Sequence, residues 1–332
     1  MIDPCLFGPF TENEKTAVWE VTKHCNLHCP HCCSNSGNVG IENDYTDIDT
    51  EEALKIVDIF HNNNINVLYI SGGEPLLWKP LVKVIEQANK YGMKCCIASS
   101  GFEFDEKLMH EILQLDITSF HISIDSYCAE KHDKFRGVKG SFDKALHFID
   151  YLKSKNINVV TSTMLTDDLI AHADELFALL KNHRVDRAVL NFFVPLGRAS
   201  NMNCNIISTK QKSAIAQKLI KKAKEIDFVI SIKRIVENKQ CLDICPGGRY
   251  LVHMNAYGEI SPCSWIGKLW PEFVTGIRQD IFDENTIALL DEKIKNLTDI
   301  KCEGCSLNDS CKRGCPVIAY FEGAHYDTLC QQ

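Results

Sequence analysis

Between Thr16 and Pro195, short runs of β-branched and aromatic residues alternate with longer stretches whose apolar side chains recur at helical spacing. Six runs read as strands: TAVWEVT (16–22), NVLYISGG (66–73), KCCIASSG (94–101), SFHISID (119–125), INVVTSTML (157–165) and RAVLNFFVP (187–195). Each is followed by a helical candidate. In TEEALKIVDIFHNN, Thr50 is expected as the N-cap, and in SFDKALHFIDYLKSK, Ser141 is expected in that role. This alternation predicts an α/β fold around a parallel sheet, and right-handed crossovers curl six such units into an open, partial (β/α)6 TIM-like barrel. A further helix (about Thr209 to Ile226) and a short β-like run, FVISIKRI, follow, and the periodicity fades near Val236. The expected organisation is an N-terminal extension (1–16), a barrel (17–236) and a small cysteine-rich C-terminal domain (237–332).

Chemistry in such barrels gathers at the C-terminal ends of the strands. The Cys25 loop, the Gly72-Gly73-Glu74-Pro75 turn, Ser99-Ser100-Gly101, Ser123-Ile124-Asp125 and Pro195-Leu196-Gly197-Arg198 all fall where a predicted strand ends.

Composition narrows the class. The 332 residues are 45% hydrophobic and 24% charged, ordinary for a globular protein, and no apolar run approaches the ~20 residues that a membrane-spanning helix needs. The N-terminus MIDPCLFGPFTENEK lacks export and organelle patterns, so a cytoplasmic location without membrane insertion is expected. A formal net charge of -8 argues against nucleic acid as a partner, since such binding needs clustered positive charge. Seventeen cysteines change the picture most. An odd count, no signal peptide and tight C-x2-C and C-x3-C clusters point to metal ligation in a reducing compartment.

Cys25, Cys29 and Cys32 form C-x3-C-x2-C within HCNLHCPHCC, with His24, His28 and His31 interleaved. Three thiolates on one loop can bind three irons of a cubane and leave the fourth open as a substrate site. A zinc knuckle is the alternative for Cys and His at this spacing, but it leaves the later motifs unexplained. Cys33 reads as a packing or loop thiol, and Cys95 and Cys96 as core residues on opposite faces of a strand.

C-x3-C-x2-C after a first strand, then GGEP after a second, resembles the radical S-adenosylmethionine (SAM) superfamily over roughly residues 17 to 200. The resemblance implies that SAM chelates the open iron of a [4Fe-4S] cluster and is cleaved on reduction to a 5'-deoxyadenosyl radical that abstracts hydrogen from substrate. Gly72 and Gly73 would let the backbone approach a ligand, Glu74 would meet the methionine ammonium, and Pro75 completes this cofactor-binding turn. Ser123 and Asp125 are placed for ribose hydroxyls, Ser99 and Ser100 for the same site, and Arg136 in HDKFR for the SAM carboxylate. Arg198, in PLGRAS, reads either as a substrate or SAM contact or as a structural loop residue. Cys128 and Cys204 are candidate hydrogen-atom donors near the barrel mouth.

The tail runs Cys245, Gly258, Cys263, then Cys302-x2-Cys305-x5-Cys311-x3-Cys315, and Cys330. This is similar to the SPASM auxiliary-cluster domain over about 237 to 332. The resemblance implies two further [4Fe-4S] clusters, three in all. Cys245, Cys263, Cys315 and the available Cys241 would hold the first, and Cys302, Cys305, Cys311 and Cys330 the second. Two structural zincs are the alternative for this array.

Auxiliary clusters that accept an electron make oxidation or cross-linking of a ribosomally made peptide the leading expectation. Only about 15 residues precede the first strand, so leader binding would fall to a separate leader-peptide-binding protein or to the barrel. A flavodoxin- or ferredoxin-like protein would be the electron donor. Other readings are a small-molecule enzyme such as a tetrapyrrole decarboxylase or sugar dehydrogenase, a peptide epimerase, and a non-catalytic iron-sulfur electron carrier. A sulfatase maturase ranks lower, because those enzymes carry an acidic residue where Ser264 follows Cys263.

Overall fold

The computed structural model describes residues 14–37, 45–202, 209–232, 245–277, 279–296 and 315–321. The six expected strands are present as β1 (Lys15–Glu20), β2 (Ile65–Ser71), β3 (Lys94–Ser99), β4 (Ser119–Ser123), β5 (Val159–Met164) and β6 (Arg187–Asn191). They pair in parallel in chain order, as a partial barrel of βα units requires. The crossovers carry α1 (Thr50–Asn62), α2 (Leu81–Lys90), α3 (Glu106–Ile112), then α4 (Ala129–Arg136) with α5 (Ser141–Ser154), and α6 (Asp167–Ala171) with α7 (Ala173–Asn182).

The sheet continues beyond six strands on both sides. After α8 (Thr209–Glu225), the FVISIKRI run supplies β7 (Ile230–Ile232), parallel to β6. From the tail, β8 (Leu251–Met254) pairs in parallel with β1, Thr16 opposite Leu251 and Trp19 opposite Met254. Two short antiparallel strands, β9 (Glu259–Ser261) and β10 (Thr275–Gly276), complete the order β10-β9-β8-β1-β2-β3-β4-β5-β6-β7. The cysteine-rich tail therefore extends the barrel sheet directly. Among the described residues the tail also carries the helices α9 (Ser264–Leu269), α10 (Glu284–Asn296) and α11 (Pro316–Phe321).

Alternation along the strands makes two cores. Trp19, Leu68, Ile70, Cys95, Ile97 and Phe120 face the helices and pack against Phe60, Leu81, Ile85 and Phe148. Trp19 meets Phe60 and Trp78 edge-on, at centroid distances of 5.8 and 5.3 Å. Val18, Tyr69 and Cys96 fall in a second cluster with Cys245, Cys263, Trp265 and Cys315. Cys95 and Cys96 thus occupy opposite faces, as their adjacency in a strand requires.

Two caps differ from expectation. Asp49, not Thr50, caps α1: its carboxylate accepts from Glu52 N at 2.9 Å, and Thr50 is the first helical residue. At α5 the N-cap is Gly140, and the cap is supplied from α4. Asp133 accepts from Gly140 N, Ser141 Oγ and Phe142 N at 2.6, 2.9 and 2.9 Å, so Ser141 donates to the cap instead of forming it.

Trp19→Ala should cost about 3–5 kcal/mol, because the fully buried indole leaves a cavity between α1 and the 3-10 turn bearing Trp78. Chemical denaturation of the two proteins checks this, and a loss below about 1 kcal/mol would contradict the packing role.

Candidate active site

Residues 21–37, leaving β1, carry Cys25, Cys29 and Cys32 with no strand or helix of their own. Cys29 is buried, and the other two are half-buried. Within this loop the Cys32 amide donates to the Cys29 carbonyl at 3.2 Å. Most of the remaining constraint comes from other elements. From the end of β2, Gly73 N donates to Thr22 O at 2.7 Å and Glu74 N to His24 O at 2.8 Å. A Cβ on Gly73 would lie 2.1 Å from the His24 carbonyl oxygen, so only glycine permits this approach. The ligand that Gly72 and Gly73 were expected to admit is, in the first instance, the backbone of the cysteine loop.

A second clasp comes from the segment after β6. Arg198 N donates to Cys32 O at 3.0 Å, its Nε to Cys29 O at 3.1 Å and its Nη1 to Ser36 O at 2.7 Å. Gly197 lies so close that a Cβ would stand 2.3 Å from the Cys33 carbonyl oxygen. Arg198 thereby braces the loop backbone, as the structural one of its two expected roles would have it.

The Glu74 side chain also differs from expectation. It is fully buried, with Oε2 accepting from Ser100 N and Ser100 Oγ at 2.8 and 2.7 Å and Oε1 from Leu76 N at 3.3 Å. It thereby caps the 3-10 turn Pro75–Leu77, in which Pro75 is the first residue. Burial pushes its pKa up, against the bonds from Ser100. Ser99 Oγ accepts from Gly101 N at 3.0 Å, closing the turn after β3. Ser123 ends β4 half-buried, in register with Ser162.

Asp125 and Arg136 meet each other. Asp125 Oδ1 accepts from Met164 N at 2.7 Å, and Oδ2 pairs with Arg136 Nη2. Its carboxylate is thus turned inward, away from the expected part of binding ribose hydroxyls, because a buried charge must be paired. Burial alone would raise its pKa, but Arg136 first, then His31 and His132, hold it down to about 2. Arg136, expected at the SAM carboxylate, directs Nη1 to Cys29 Sγ at 3.8 Å.

A third polar cluster went unnoticed in the strand TAVWEVT. Glu20, at the end of β1, is 7% exposed and accepts from Lys268 Nζ of α9 at 2.6 Å and from Ser34 Oγ at 2.8 Å. His253 Nε2 of β8 lies 3.2 Å from the same oxygen, and Lys268 Nζ also reaches Cys33 Sγ at 3.9 Å. Burial raises the Glu20 pKa, but Lys268 and then His253 bring it well below the ordinary glutamate value. A charged residue inside an otherwise apolar strand was the signal available.

Of the tail cysteines, Cys245, Cys263 and Cys315 are buried together in the second core, and Ser264 opens α9. Cys241, Cys302, Cys305, Cys311 and Cys330 lie outside the described residues, as does Cys204. Cys128 precedes α4, with its sulfur 3.9 Å from Ser126 Oγ.

Among the described residues no three His, Cys, Asp or Glu side chains converge as around a single metal ion. A [4Fe-4S] cluster takes one iron per cysteine, so its ligand sulfurs need not converge on a single ion. Burial first, then Glu74 and the sulfurs of Cys29 and Cys32, push the Cys25 thiol up to about 12, so its thiolate needs a cationic partner.

Residues 19–180 match the Radical SAM superfamily. The chain carries a radical SAM domain. It is 28% identical over 194 residues to the AdoMet-dependent heme synthase of Oleidesulfovibrio alaskensis, covering 58% of this chain and 49% of that protein. It therefore spans about half the length of that relative. With the mycofactocin maturase MftC of Mycobacterium tuberculosis it shares 24% identity over 93% of this chain and 80% of that one. The fold matches Streptococcus suis SuiB bound to S-adenosylmethionine with a TM-score of 0.74 at 14% identity, covering 97% of this chain and 78% of SuiB. Among the described residues no helix is long and apolar enough to cross a membrane.

Two outcomes are expected. Gly73→Ala should keep its far-ultraviolet circular dichroism but lose most of its loop-bound iron on reconstitution, because His24 must move; wild-type iron content would refute the close approach. The Glu20 contribution to stability should be fully present above the unfolded glutamate pKa of about 4.3 and be lost as pH falls toward its depressed folded value. Thermal midpoints across that range should fall less steeply for a Glu20→Gln, Lys268→Met double variant than for wild type.

Proposed function

We propose that this chain is a radical SAM peptide maturase that oxidises or cross-links a ribosomally made peptide, with a SPASM-type tail. One observation carries the reading: Cys245, Cys263 and Cys315 share a buried core with Val18, Tyr69 and Cys96 of the barrel sheet. Auxiliary-cluster ligands so placed would stand over the same chamber as the cysteine loop. The similarity to MftC over most of both chains agrees with a peptide substrate.

In this reading Cys25, Cys29 and Cys32 hold the cluster that binds SAM, and Ser99 and Ser123 line the SAM pocket. Cluster and SAM together supply a 5'-deoxyadenosyl radical that removes a hydrogen atom from substrate. Gly73, Gly197 and Arg198 keep the loop in the shape that leaves one iron open to SAM. Cys245, Cys263 and Cys315, with Cys241, hold one auxiliary cluster, and Cys302, Cys305, Cys311 and Cys330 hold the other. A flavodoxin- or ferredoxin-like donor supplies the electron. Cys128 and Cys204 remain proposed hydrogen donors for the epimerase variant of the chemistry.

A second reading, modification of a tetrapyrrole, is favoured by the 28% identity to a heme synthase over 58% of this chain.

Anaerobic reconstitution should give about twelve irons and twelve sulfides per chain, as three four-iron clusters require. With SAM and a reductant the protein should release 5'-deoxyadenosine, and a Cys25→Ala, Cys29→Ala, Cys32→Ala variant should release none. Product from that variant would reject the mechanism, and about four irons with two zincs would reject the auxiliary clusters. Mass loss from a candidate precursor peptide, set against decarboxylation of an iron porphyrin, separates the two substrate readings.

A further inference from the structure

The C-terminal end of α4 lies against the cysteine loop. Its cap, Gly137, is so near that a Cβ would stand 2.8 Å from the His28 carbonyl oxygen, and Phe135 stacks on His31 at a centroid distance of 4.1 Å. Arg136, between them, is 7% exposed. A guanidinium in such a position needs acceptors, and the loop provides an uncommon one. Nη2 pairs with Asp125 Oδ2, while Nη1 points at Cys29 Sγ, 3.8 Å away. Nε has no acceptor among the described residues. Asp125 is itself fixed from the far side by Met164 N, and its own amide donates to His132 Nδ1 at 3.2 Å. The arginine is therefore oriented by a carboxylate that cannot swing away.

We infer that Arg136 is a positioning residue for the cysteine-loop cluster: held by Asp125, it donates to the Cys29 sulfur and raises the ease with which the cluster accepts an electron. This rests on the reading that Cys29 ligates the cluster. Adding one electron makes a cluster more negative, so a hydrogen bond to a ligand sulfur and a nearby positive charge favour the reduced form. Asp125 acts in the opposite direction through its charge while holding the donor in place. In water a guanidinium at this distance would have little effect, but at a site this buried the interaction is only weakly screened.

The test uses the full chain, reconstituted anaerobically, and a redox titration followed by electron paramagnetic resonance. The signal that changes on adding SAM identifies the relevant cluster, and dithionite serves as the one-electron reductant. Arg136→Gln should lower the reduced-to-oxidised ratio at fixed potential by about tenfold, equivalent to about 59 mV for one electron. SAM affinity in Arg136→Gln should stay within roughly twofold of wild type. Arg136→Lys keeps the ion pair with Asp125, so it serves if the neutral variant does not fold; it should shift in the same direction as Arg136→Gln, by less. An unmoved potential with SAM binding weakened tenfold or more would overturn the inference and assign Arg136 to the SAM carboxylate. Iron content of Cys29→Ala reports separately on the underlying reading: retention of the full loop-bound iron there would reject Cys29 as a ligand, whatever the potentials.

Discussion

The loop carrying Cys25, Cys29 and Cys32 cannot hold its own shape, and the rest of the barrel mouth is arranged around that fact. An irregular segment buried at a sheet edge must find partners for its amides and carbonyls elsewhere. Here the Thr22 and His24 carbonyls are taken by Gly73 and Glu74 amides, and the Cys29, Cys32 and Ser36 carbonyls by Arg198. Three strand ends thus meet on one loop: β1 feeds it, β2 and β6 clasp it. Two glycines stand at the points of closest approach, because any Cβ at Gly73 or Gly197 would overlap a carbonyl of the loop. The cysteines are presented by a frame whose hydrogen bonds depend little on the cysteines themselves.

On opposite sides of this frame lie two buried ion pairs of unlike design. Asp125 and Arg136 join β4 and α4 and touch the loop through a cysteine sulfur. Glu20 and Lys268 join β1 to α9 and touch it through Ser34 and Cys33. Buried pairs are seldom net contributors to stability, since desolvation offsets attraction, yet breaking one by removing a single partner costs about 3–5 kcal/mol. Such pairs are better understood as directional devices. The first fixes the inner side of the cysteine loop. The second ties its exit to the segment that contains Cys263, so the barrel and the tail are registered to one another through Glu20, His253 and Ser261 as well as through the β1–β8 pairing.

Much of this was legible in the residues. Short β-branched and aromatic runs alternating with helical patterns located all six strands of the barrel, because each strand buries both faces and each helix one, and the turns between them are marked by glycine, serine and proline. The cysteine loop and GGEP were legible because chemistry demands their residue types. What was not legible depends on long-range geometry. Whether Glu74 meets a ligand or Ser100, and whether Asp125 meets a ribose or Arg136, is decided by how neighbouring strand ends are spaced, which local pattern does not encode. Thr50 and Ser141 missed the caps for a related reason: Asp49 competed one residue earlier, and Asp133 reached across from another helix. The β8 strand carried a weak signal, since LVHM is too short to separate from a loop without knowing that the free edge of β1 awaits a partner.

That free edge explains why the tail is built into the barrel sheet. A barrel of six parallel strands leaves β1 with unpaired backbone groups on one side, and β1 is the strand that delivers the cysteine loop. Pairing β8 with β1 satisfies that edge and aligns His253 with Val18, one step from Glu20. The short connection from β8 through β9 to Cys263 then sets α9 so that Lys268 comes back to Glu20. Edge protection, the buried charge at the end of β1 and the placement of the tail cysteines are thus consequences of a single strand pairing. Lys268, on the helix that follows Cys263, bonds Glu20 and reaches Cys33 Sγ, so the segment bearing Cys263 and the exit of the cysteine loop share one buried charge cluster.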